Sequence, residues 1–230
     1  MCGRFALGIP KKRLEEVFGV AAPDEYASRF NIAPGGDIFV VIGPEGEHRL
    51  ESRWWGLVPH WAKARDMGHS MINARSETLF EKPAFSEAAR YQRCLVPAQA
   101  FYEWQRLGHG KQPYAIGVNE QDVFGMAGIT ARWVDSASGE VVDSVAIVTC
   151  EANQLVGPIH DRMPVILPRE AWALWLDPSL TEPRDVAPLL TPYPAEAMGA
   201  WLVPYGVNNP AHEDPGMLDP ITPVRQGRLI

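Results

Sequence analysis

The sequence feature that most constrains the fold is a series of short apolar segments separated by glycine, proline or charged residues. The chain contains 21 prolines and 20 glycines among 230 residues, so much of it must form ordered loops. The segments between these loops are rich in β-branched and aromatic residues, which is typical of strands. They do not alternate regularly with helical segments, and no internal repeat is present. We therefore predict a strand-rich α+β fold in one domain that spans residues 1–230.

The expected elements follow from the periodicity of the apolar residues. The spacing of Leu14, Val17 and Phe18 predicts a helix over 11–18, whereas short runs that alternate in polarity predict strands. The predicted strands cover 2–6, 38–42, 49–55, 93–96, 100–104, 114–118, 123–127, 142–148 and 164–167. Further short helices are predicted over 86–90, 152–155, 169–176 and 185–190.

Cysteine usage and charge restrict the function classes. Three cysteines without a Cys-x-x-Cys spacing disfavour a disulfide framework and a structural zinc site, so we expect no metal or cofactor and a reducing cytoplasm. No signal sequence and no membrane-spanning apolar run is recognisable, which predicts a soluble protein. The net charge of -7 disfavours nucleic acid as a partner, but residues 1–130 carry 15 Lys and Arg against 15 Asp and Glu. A local basic groove in that part and an ordinary mixed surface both fit these counts.

Cys2 has the most distinctive chemistry in the chain. Removal of Met1 would leave an N-terminal cysteine, with an α-amine of pKa about 7.7–8.0 beside a thiol of pKa about 8.5. Such a 1,2-aminothiol attacks aldehydes, because the amine forms a Schiff base and the thiol then closes a five-membered thiazolidine ring. The simpler interpretation is a small apolar residue at the start of the first strand, and position alone favours it.

Two further segments carry groups suited to proton transfer. In Phe101-Tyr102-Glu103-Trp104, strand alternation places Phe101 and Glu103 on one face, and burial between aromatic residues would raise the pKa of the carboxyl group. In the proline-bounded segment 158–164, His160 could move protons near pH 7. A hydrogen-bonded structural histidine and a capping carboxylate are the alternatives that the sequence leaves open.

Two polar or aromatic clusters could contact a ligand. Asn73-Ala74-Arg75-Ser76-Glu77 combines an amide that could orient a nucleophile with a guanidinium suited to phosphate, although turn or capping roles are the more usual interpretation. The segment 54–61 concentrates three tryptophans, most of which we expect to be buried.

Six motifs that occur in a fixed order together resemble one known family. They are Met1-Cys2-Gly3-Arg4-Phe5-Ala6, Phe30-Asn31-Ile32-Ala33-Pro34-Gly35, Trp55-Gly56-Leu57-Val58-Pro59, Asn73-Ala74-Arg75-Ser76-Glu77, Phe101-Tyr102-Glu103-Trp104 and Ile159-His160-Asp161-Arg162-Met163-Pro164. The chain resembles the SOS-response-associated peptidase (SRAP) family of abasic-site processing proteins, and the likeness extends from Cys2 to the segment 207–209.

This resemblance implies a curved, mixed β-sheet with a barrel-like core, short peripheral helices and a positively charged groove for single-stranded DNA. It implies that Cys2, after autocatalytic or aminopeptidase removal of Met1, forms a thiazolidine crosslink with the aldehyde of an abasic site. The crosslink would shield the lesion during the DNA damage response. The expected partner is single-stranded DNA with abasic sites, recruitment by the replication machinery is left open, and we expect a monomer.

The resemblance also implies roles for the residues that match the family motifs. Cys2 would be the nucleophile, Asn73 would position it, Glu103 would assist proton transfer, and His160 would protonate the sugar oxygen or orient the opened sugar. The implied DNA-binding residues are Arg4, Pro34, Trp61, Arg75, Trp104, Thr149 and Arg162.

Within that DNA-binding set the implied roles differ. Arg75 and Arg162 would hold the phosphates that flank the lesion, and Pro34 and Trp61 would pack on bases and disfavour a continuous duplex. The chain departs from some relatives by having Trp61-Ala62 where they carry two aromatic residues, and by having Ala100 before the Phe-Tyr-Glu-Trp run, where glycine is frequent.

Two other functions are compatible with the sequence. The Cys2 thiol could attack an amide, as in an N-terminal-nucleophile peptidase or amidohydrolase. The chain could instead be a non-catalytic module that binds single-stranded or modified DNA. Strand cleavage by β-elimination from the Schiff base also stays open as a side activity.

Overall fold

The chain folds into two β-sheets with short helices at their periphery in the computed structural model, which describes residues 2–108 and 110–222. The strands are Phe5–Leu7 (β1), Arg29–Ile32 (β2), Asp37–Ile42 (β3), Arg49–Trp55 (β4), Asn73–Arg75 (β5), Arg93–Ala98 (β6), Ala100–Leu107 (β7), Gly110–Val118 (β8), Phe124–Val134 (β9), Val141–Glu151 (β10), Arg162–Pro164 (β11), Ile166–Leu167 (β12) and Met198–Leu202 (β13). The α-helices are Lys11–Phe18 (α1), Ser86–Tyr91 (α2), Trp172–Leu176 (α3) and Pro183–Val186 (α4). Short 3₁₀ helices span Arg65–Ser70, Ser76–Thr78, Arg169–Ala171, Ala187–Leu189, Ala195–Ala197, Tyr205–Asn208 and Pro215–Leu218.

The larger sheet closes on itself. Its strands follow the order β11-β10-β4-β3-β6-β9-β12, and an additional pairing of β9 with β10 closes a barrel from β10, β4, β3, β6 and β9. β10 runs parallel to β4 and β5 but antiparallel to β9 and β11. This mixed, barrel-like sheet with short peripheral helices confirms the predicted fold class.

The smaller sheet is antiparallel and carries the N-terminal segment. Its order is β13-β8-β7-β1-β2, with Phe5 of β1 directly opposite Phe101 of β7. β7 and β8 form a long hairpin in which Glu103 lies opposite Tyr114. Because β1 is hydrogen-bonded to β7, the residues before Phe5 lie close to Glu103.

The alternation predicted for β7 is confirmed. Phe101 is fully buried in the main core between the sheets, whereas Tyr102 is fully buried in a second cluster on the opposite face of the smaller sheet. Glu103 follows Phe101 on the first face and is only 3% exposed. The strand therefore brings one carboxyl group into an apolar interior.

Several predicted elements differ from the structure. Helix α1 coincides with the predicted 11–18, but the strand predicted over 2–6 begins only at Phe5. The helix predicted over 152–155 is wrong, because the side chain of Asn153 accepts hydrogen bonds from the amides of Leu155 (3.1 Å) and Val156 (3.0 Å). Such an Asx turn competes with helical hydrogen bonding. The described helices include none that is long and apolar enough to cross a membrane.

Candidate active site around Cys2

Cys2 lies in the interior between β7 and β5. Its side chain is fully buried, and its carbonyl oxygen accepts a 2.9 Å hydrogen bond from Nδ2 of Asn73 at the start of β5. The residues that follow Cys2 are fixed to β7, because the amide of Tyr102 donates a 2.9 Å hydrogen bond to the carbonyl of Arg4. Asn73 thus holds the main chain of Cys2. The predicted removal of Met1 concerns a residue outside the described ranges.

Burial makes the Cys2 thiol a weak acid in this structure. Desolvation raises the pKa of the thiol strongly, and the nearby carboxylate of Glu103 raises it further. A backbone hydrogen bond from Arg4 acts in the opposite direction and is a smaller influence. The thiol is therefore protonated near neutral pH, and it needs a neighbouring base to become a nucleophile.

Glu103 is placed to act as such an acid or base. Burial raises the pKa of its carboxyl group to about 7, and the negative charge of Asp161 contributes in the same direction. A carboxyl group with a pKa near neutrality is populated in both protonation states under physiological conditions. It lies close enough to Cys2 to affect the pKa of the thiol.

His160 lies across a cleft from the end of β7. Its Nδ1 lies 3.0 Å from the backbone amide of Arg162, which donates a hydrogen bond to it in the tautomer that carries the ring proton on Nε2. Burial lowers the pKa of the imidazole, and the positive charge of Arg106 lowers it as well. Asp161, whose carboxylate lies 3.0 Å from Nδ1, opposes these two effects. His160 is consequently neutral at pH 7.

The cleft is open to solvent and has a volume of about 550 Å³. Its lining residues are Glu103, Trp104, Arg106, Lys111, His160 and Asn208. The sequence motifs do not indicate a role for Arg106, Lys111 or Asn208. The alternation of β7 could have indicated Arg106, since it shares a face with Trp104, and Asn208 lies in the last segment that carries the family likeness.

Arg162 and Thr149 lie together at the β5 side of the site, in a cluster with Glu77. The guanidinium of Arg162 makes a two-point ion pair with Glu77 at 2.6 and 2.9 Å and donates to the carbonyl of Thr149 at 2.7 Å. This pairing lowers the pKa of Glu77. We call Glu77, Thr149 and Arg162 the Arg162 cluster. Arg75 is opposite Thr149 in the sheet, and its exposed side chain forms no hydrogen bond or ion pair with another described residue.

Arg4 joins the two ends of the chain. Its Nη1 donates to Oδ1 of Asn31 at 2.8 Å and to the carbonyl of Val207 at 2.9 Å, and its guanidinium lies 5.9 Å from the centre of the Trp104 ring. Asn31 is fully buried and also donates to the carbonyls of Asn209 and His212, each at 2.9 Å. The side chain of Trp104 is oriented by a 2.6 Å hydrogen bond from Nε1 to Asn208 Oδ1. Arg4 is therefore in contact with Trp104, whose ring lines the cleft together with Asn208.

Pro34 and Trp61 do not line this cleft. Pro34 lies in the turn between β2 and β3 and is half-buried. Trp61 is 46% exposed and borders a separate depression with His60 and Glu87. Their packing on DNA bases stays a prediction.

The described residues contain no group of three or more His, Cys, Asp or Glu side chains arranged to hold a metal ion. Cys2, Asn73, Glu103 and His160 lie near one another where β5 of the larger sheet meets β7 of the smaller sheet. Asn73 contacts Cys2 directly, and Glu103 and His160 face the same cleft.

Comparisons with known proteins agree on one family. A family model described as SOS response associated peptidase (SRAP) matches residues 1–210. "Abasic site processing protein YoqW" of Bacillus subtilis (strain 168) is 39% identical over 223 residues, which cover 95% of this chain and 99% of the relative. "Abasic site processing protein HMCES" of Gallus gallus is 35% identical over 198 residues, covering 76% and 58% of the two chains. The solved structure of a protein from Bacteroides thetaiotaomicron superimposes with a TM-score of 0.88 at 27% identity, covering 96% of this chain and 100% of the other.

Proposed function

The chain belongs to the SOS response associated peptidase (SRAP) family, and on this premise we propose that it processes abasic sites in single-stranded DNA by covalent capture at Cys2. Abasic-site processing itself is supported by the names of relatives that align over nearly the whole chain. The thiazolidine chemistry and the roles of individual residues are our proposal.

The proposed reaction uses both functional groups of an N-terminal cysteine. After removal of Met1, the α-amine of Cys2 adds to the aldehyde of the ring-opened abasic sugar, and loss of one water gives an imine. The thiol then adds to the imine carbon while its proton passes to the nitrogen, which closes the thiazolidine ring. The crosslink would hold the abasic strand away from cleavage.

The observation that carries the proposal is the buried carboxyl group of Glu103 beside a buried thiol. The pKa of Cys2 is raised, so the sulfur needs a base at the moment of ring closure, and Glu103 with a pKa of about 7 can take and return that proton. Neutral His160 on the other wall of the cleft can donate from Nε2 to the sugar oxygen during ring opening. Asn73 holds the Cys2 carbonyl, which fixes the direction of attack.

The test compares Cys2→Ala with wild type on an oligonucleotide that contains one abasic site. We expect a denaturant-resistant adduct for wild type and at least a hundredfold less for Cys2→Ala, measured by denaturing gel electrophoresis. Cys94→Ala is the matched control, since Cys94 is also fully buried but lies in β6 opposite Gly128. It should crosslink as wild type does.

Intact mass spectrometry completes the test. We expect the crosslinking protein to lack Met1 and the adduct mass to equal protein plus DNA minus one water. An adduct of equal yield in Cys2→Ala would contradict the proposal. Salt-sensitive binding without any adduct in wild type would favour a non-catalytic DNA-binding module, and DNA-independent peptide cleavage would favour an N-terminal-nucleophile peptidase.

A further inference from the structure

Two cations face each other at the turn end of the β7–β8 hairpin. Arg106 and Lys111 are directly opposite in the strand pairing, and both are exposed. We call this pair the hairpin end. Both side chains line the cleft that also contains Glu103 and His160. Within residues 2–108 and 110–222, neither forms an ion pair with a carboxylate.

This lack of a carboxylate partner contrasts with arginines elsewhere on the same acidic chain. Arg13 pairs with Asp122 at 2.7 Å, and Arg65 pairs with Glu140 at 3.1 Å. Like charges directly opposite each other in a β-ladder oppose strand pairing. The hairpin end thus retains an unfavourable juxtaposition that an anion bound between the two side chains would relieve.

We propose that the hairpin end is a subsite for a backbone phosphate of the single strand next to the abasic residue. This inference rests on the proposed function, which places the lesion at Glu103 and His160. Arg106 and Lys111 would hold the strand by charge and hydrogen bonding, with Lys111 as a point charge and Arg106 as a two-point donor. Neither residue takes part in the covalent chemistry.

Position along β7 limits the choice of phosphate. Residues 103 and 106 are about 10 Å apart at a rise of about 3.3 Å per residue. A stacked single strand spans that length in about three nucleotides, at about 3.4 Å each, and an extended strand spans it in fewer. Trp104 lies between the two positions, shares a face with Arg106 and is held by Asn208, so its ring is set to contact the intervening sugar or base.

The charge of the hairpin end also acts on the proposed active site, and this second observation supports the phosphate subsite. The charge of Arg106 contributes to the lowered pKa of His160, and both residues line the same cleft. A phosphate bound at Arg106 would neutralise this influence. The subsite therefore belongs to the same cleft as the proposed chemistry and not to a separate surface.

The test measures non-covalent binding as a function of salt, in a Cys2→Ala background that cannot crosslink. Undamaged single-stranded oligonucleotides are titrated between 50 and 200 mM salt, and the logarithm of the association constant is plotted against that of the salt concentration. Each phosphate contact contributes a slope of about −0.7 for single strands. We expect Arg106→Ala/Lys111→Ala to reduce the slope by about 0.7 to 1.4. Lys12→Ala is the control, because Lys12 is an exposed cation on α1 and away from the cleft; its slope should be unchanged.

A second arm identifies the phosphate. Uncharged methylphosphonates replace single phosphates one to three nucleotides from the abasic site, on either side. We expect one such position to weaken binding severalfold in the protein that retains Arg106 and Lys111, and to have no effect in the double variant. An unchanged salt slope in the double variant, or an equal effect of every methylphosphonate in both proteins, would overturn the proposal.

Failure of the subsite is distinguishable from failure of the proposed function. If wild type forms no adduct but the double variant lowers the salt slope, the phosphate subsite holds and covalent capture fails. If wild type forms the adduct and the double variant has the salt slope of wild type, covalent capture holds and the phosphate subsite fails. The double variant removes only the exposed side chains of Arg106 and Lys111, so its circular dichroism spectrum should match that of wild type.

Discussion

The Arg162 cluster and the hairpin end border the same site, but their cations differ in burial and in pairing with carboxylates. In the Arg162 cluster, the guanidinium side chain is 11% exposed and already bonded to Glu77 and to the carbonyl of Thr149. At the hairpin end, Arg106 and Lys111 are exposed and have no carboxylate partner among the described residues. The number of cations is therefore a poor guide to ligand binding, because only uncompensated charge is available without displacing a protein group.

Burial separates the two regions in a second way. Groups in the interior of the site have pKa values set by desolvation, as for Cys2 and Glu103, whereas exposed cations interact through a field that salt screens within about 10 Å at 0.1 M. We expect the interior to respond to pH and the hairpin end to respond to ionic strength. Three substitutions test this difference, in order of decreasing effect.

The largest effect should come from Glu103→Gln. Folded Glu103 has a pKa of about 7 against an ordinary value of 4.5, so between these pH values the folded state binds the proton that the unfolded state has lost. Its contribution to stability therefore falls as the pH rises from about 4.5 to about 7 and is constant above that. Glu103→Gln removes this loss, so its free energy of unfolding relative to wild type should increase across that window by on the order of 1–3 kcal/mol.

Urea unfolding at pH 5, 6, 7 and 8 measures that change. Arg106→Ala provides the contrast, since its difference from wild type should be nearly independent of pH. A Glu103→Gln difference that stays constant from pH 5 to pH 8 would mean that the carboxyl group titrates at its ordinary pKa and that its burial is incomplete in solution.

The next prediction compares how much the buried Arg162 and the exposed cations of the hairpin end contribute to the stability of the fold. Arg162→Met should lower the free energy of unfolding by about 1–3 kcal/mol, because it removes a two-point ion pair and leaves the buried Thr149 carbonyl without that donor. Arg106→Met and Lys111→Met should each stay within about 0.5 kcal/mol of wild type. Urea unfolding at pH 7 compares the three variants. Equal losses of unfolding free energy in the three variants would show that the ion pair between Arg162 and Glu77 does not stabilise the fold in solution.

The smallest effect concerns Glu77 as a competitor for DNA phosphate. If Arg162 binds phosphate, its bond to the Glu77 carboxylate must be exchanged, and Glu77→Gln should raise affinity for single-stranded DNA by about threefold at low salt, under 1 kcal/mol. Glu140→Gln is the matched control, since it removes the carboxylate partner of Arg65. Fluorescence anisotropy in a Cys2→Ala background measures both. Weaker binding by Glu77→Gln would instead show that Glu77 positions Arg162.

The fold class was accessible from sequence, but the pairing of distant segments was not. The alternation in β7 and the apolar spacing in α1 are local, and both predictions are confirmed. Strands β2, β5 and β13 were missed because their main stabilisation comes from partners far along the chain, such as β8 for β13. The turn after Asn153 was missed for a different reason, since one side chain outcompeted helical bonding there.

In the candidate site, too, local features could be predicted from sequence whereas contacts between distant residues could not. The raised pKa of Glu103 follows from strand alternation and burial, which a sequence can indicate. The bond from Asn73 to Cys2 joins residues 71 positions apart, and the ion pair of Arg162 with Glu77 joins residues 85 apart. The pairing of β5 and β11 with β10, together with that of β1 with β7, brings these pairs together. Composition therefore indicated which groups are present, while topology decided which of them are already occupied.

The anchoring of Arg4 has a consequence for the order of events during synthesis. Its acceptor at Val207 lies 203 residues further along, a length that a ribosome makes in about 10–40 s at about 5–20 residues per second. During that interval the N-terminal segment has emerged but cannot yet be enclosed by the network of Arg4 and Asn31. The first residues to be made are thus among the last to be covered. For the proposed loss of Met1, removal during synthesis would precede the docking of the C-terminal segment on Arg4.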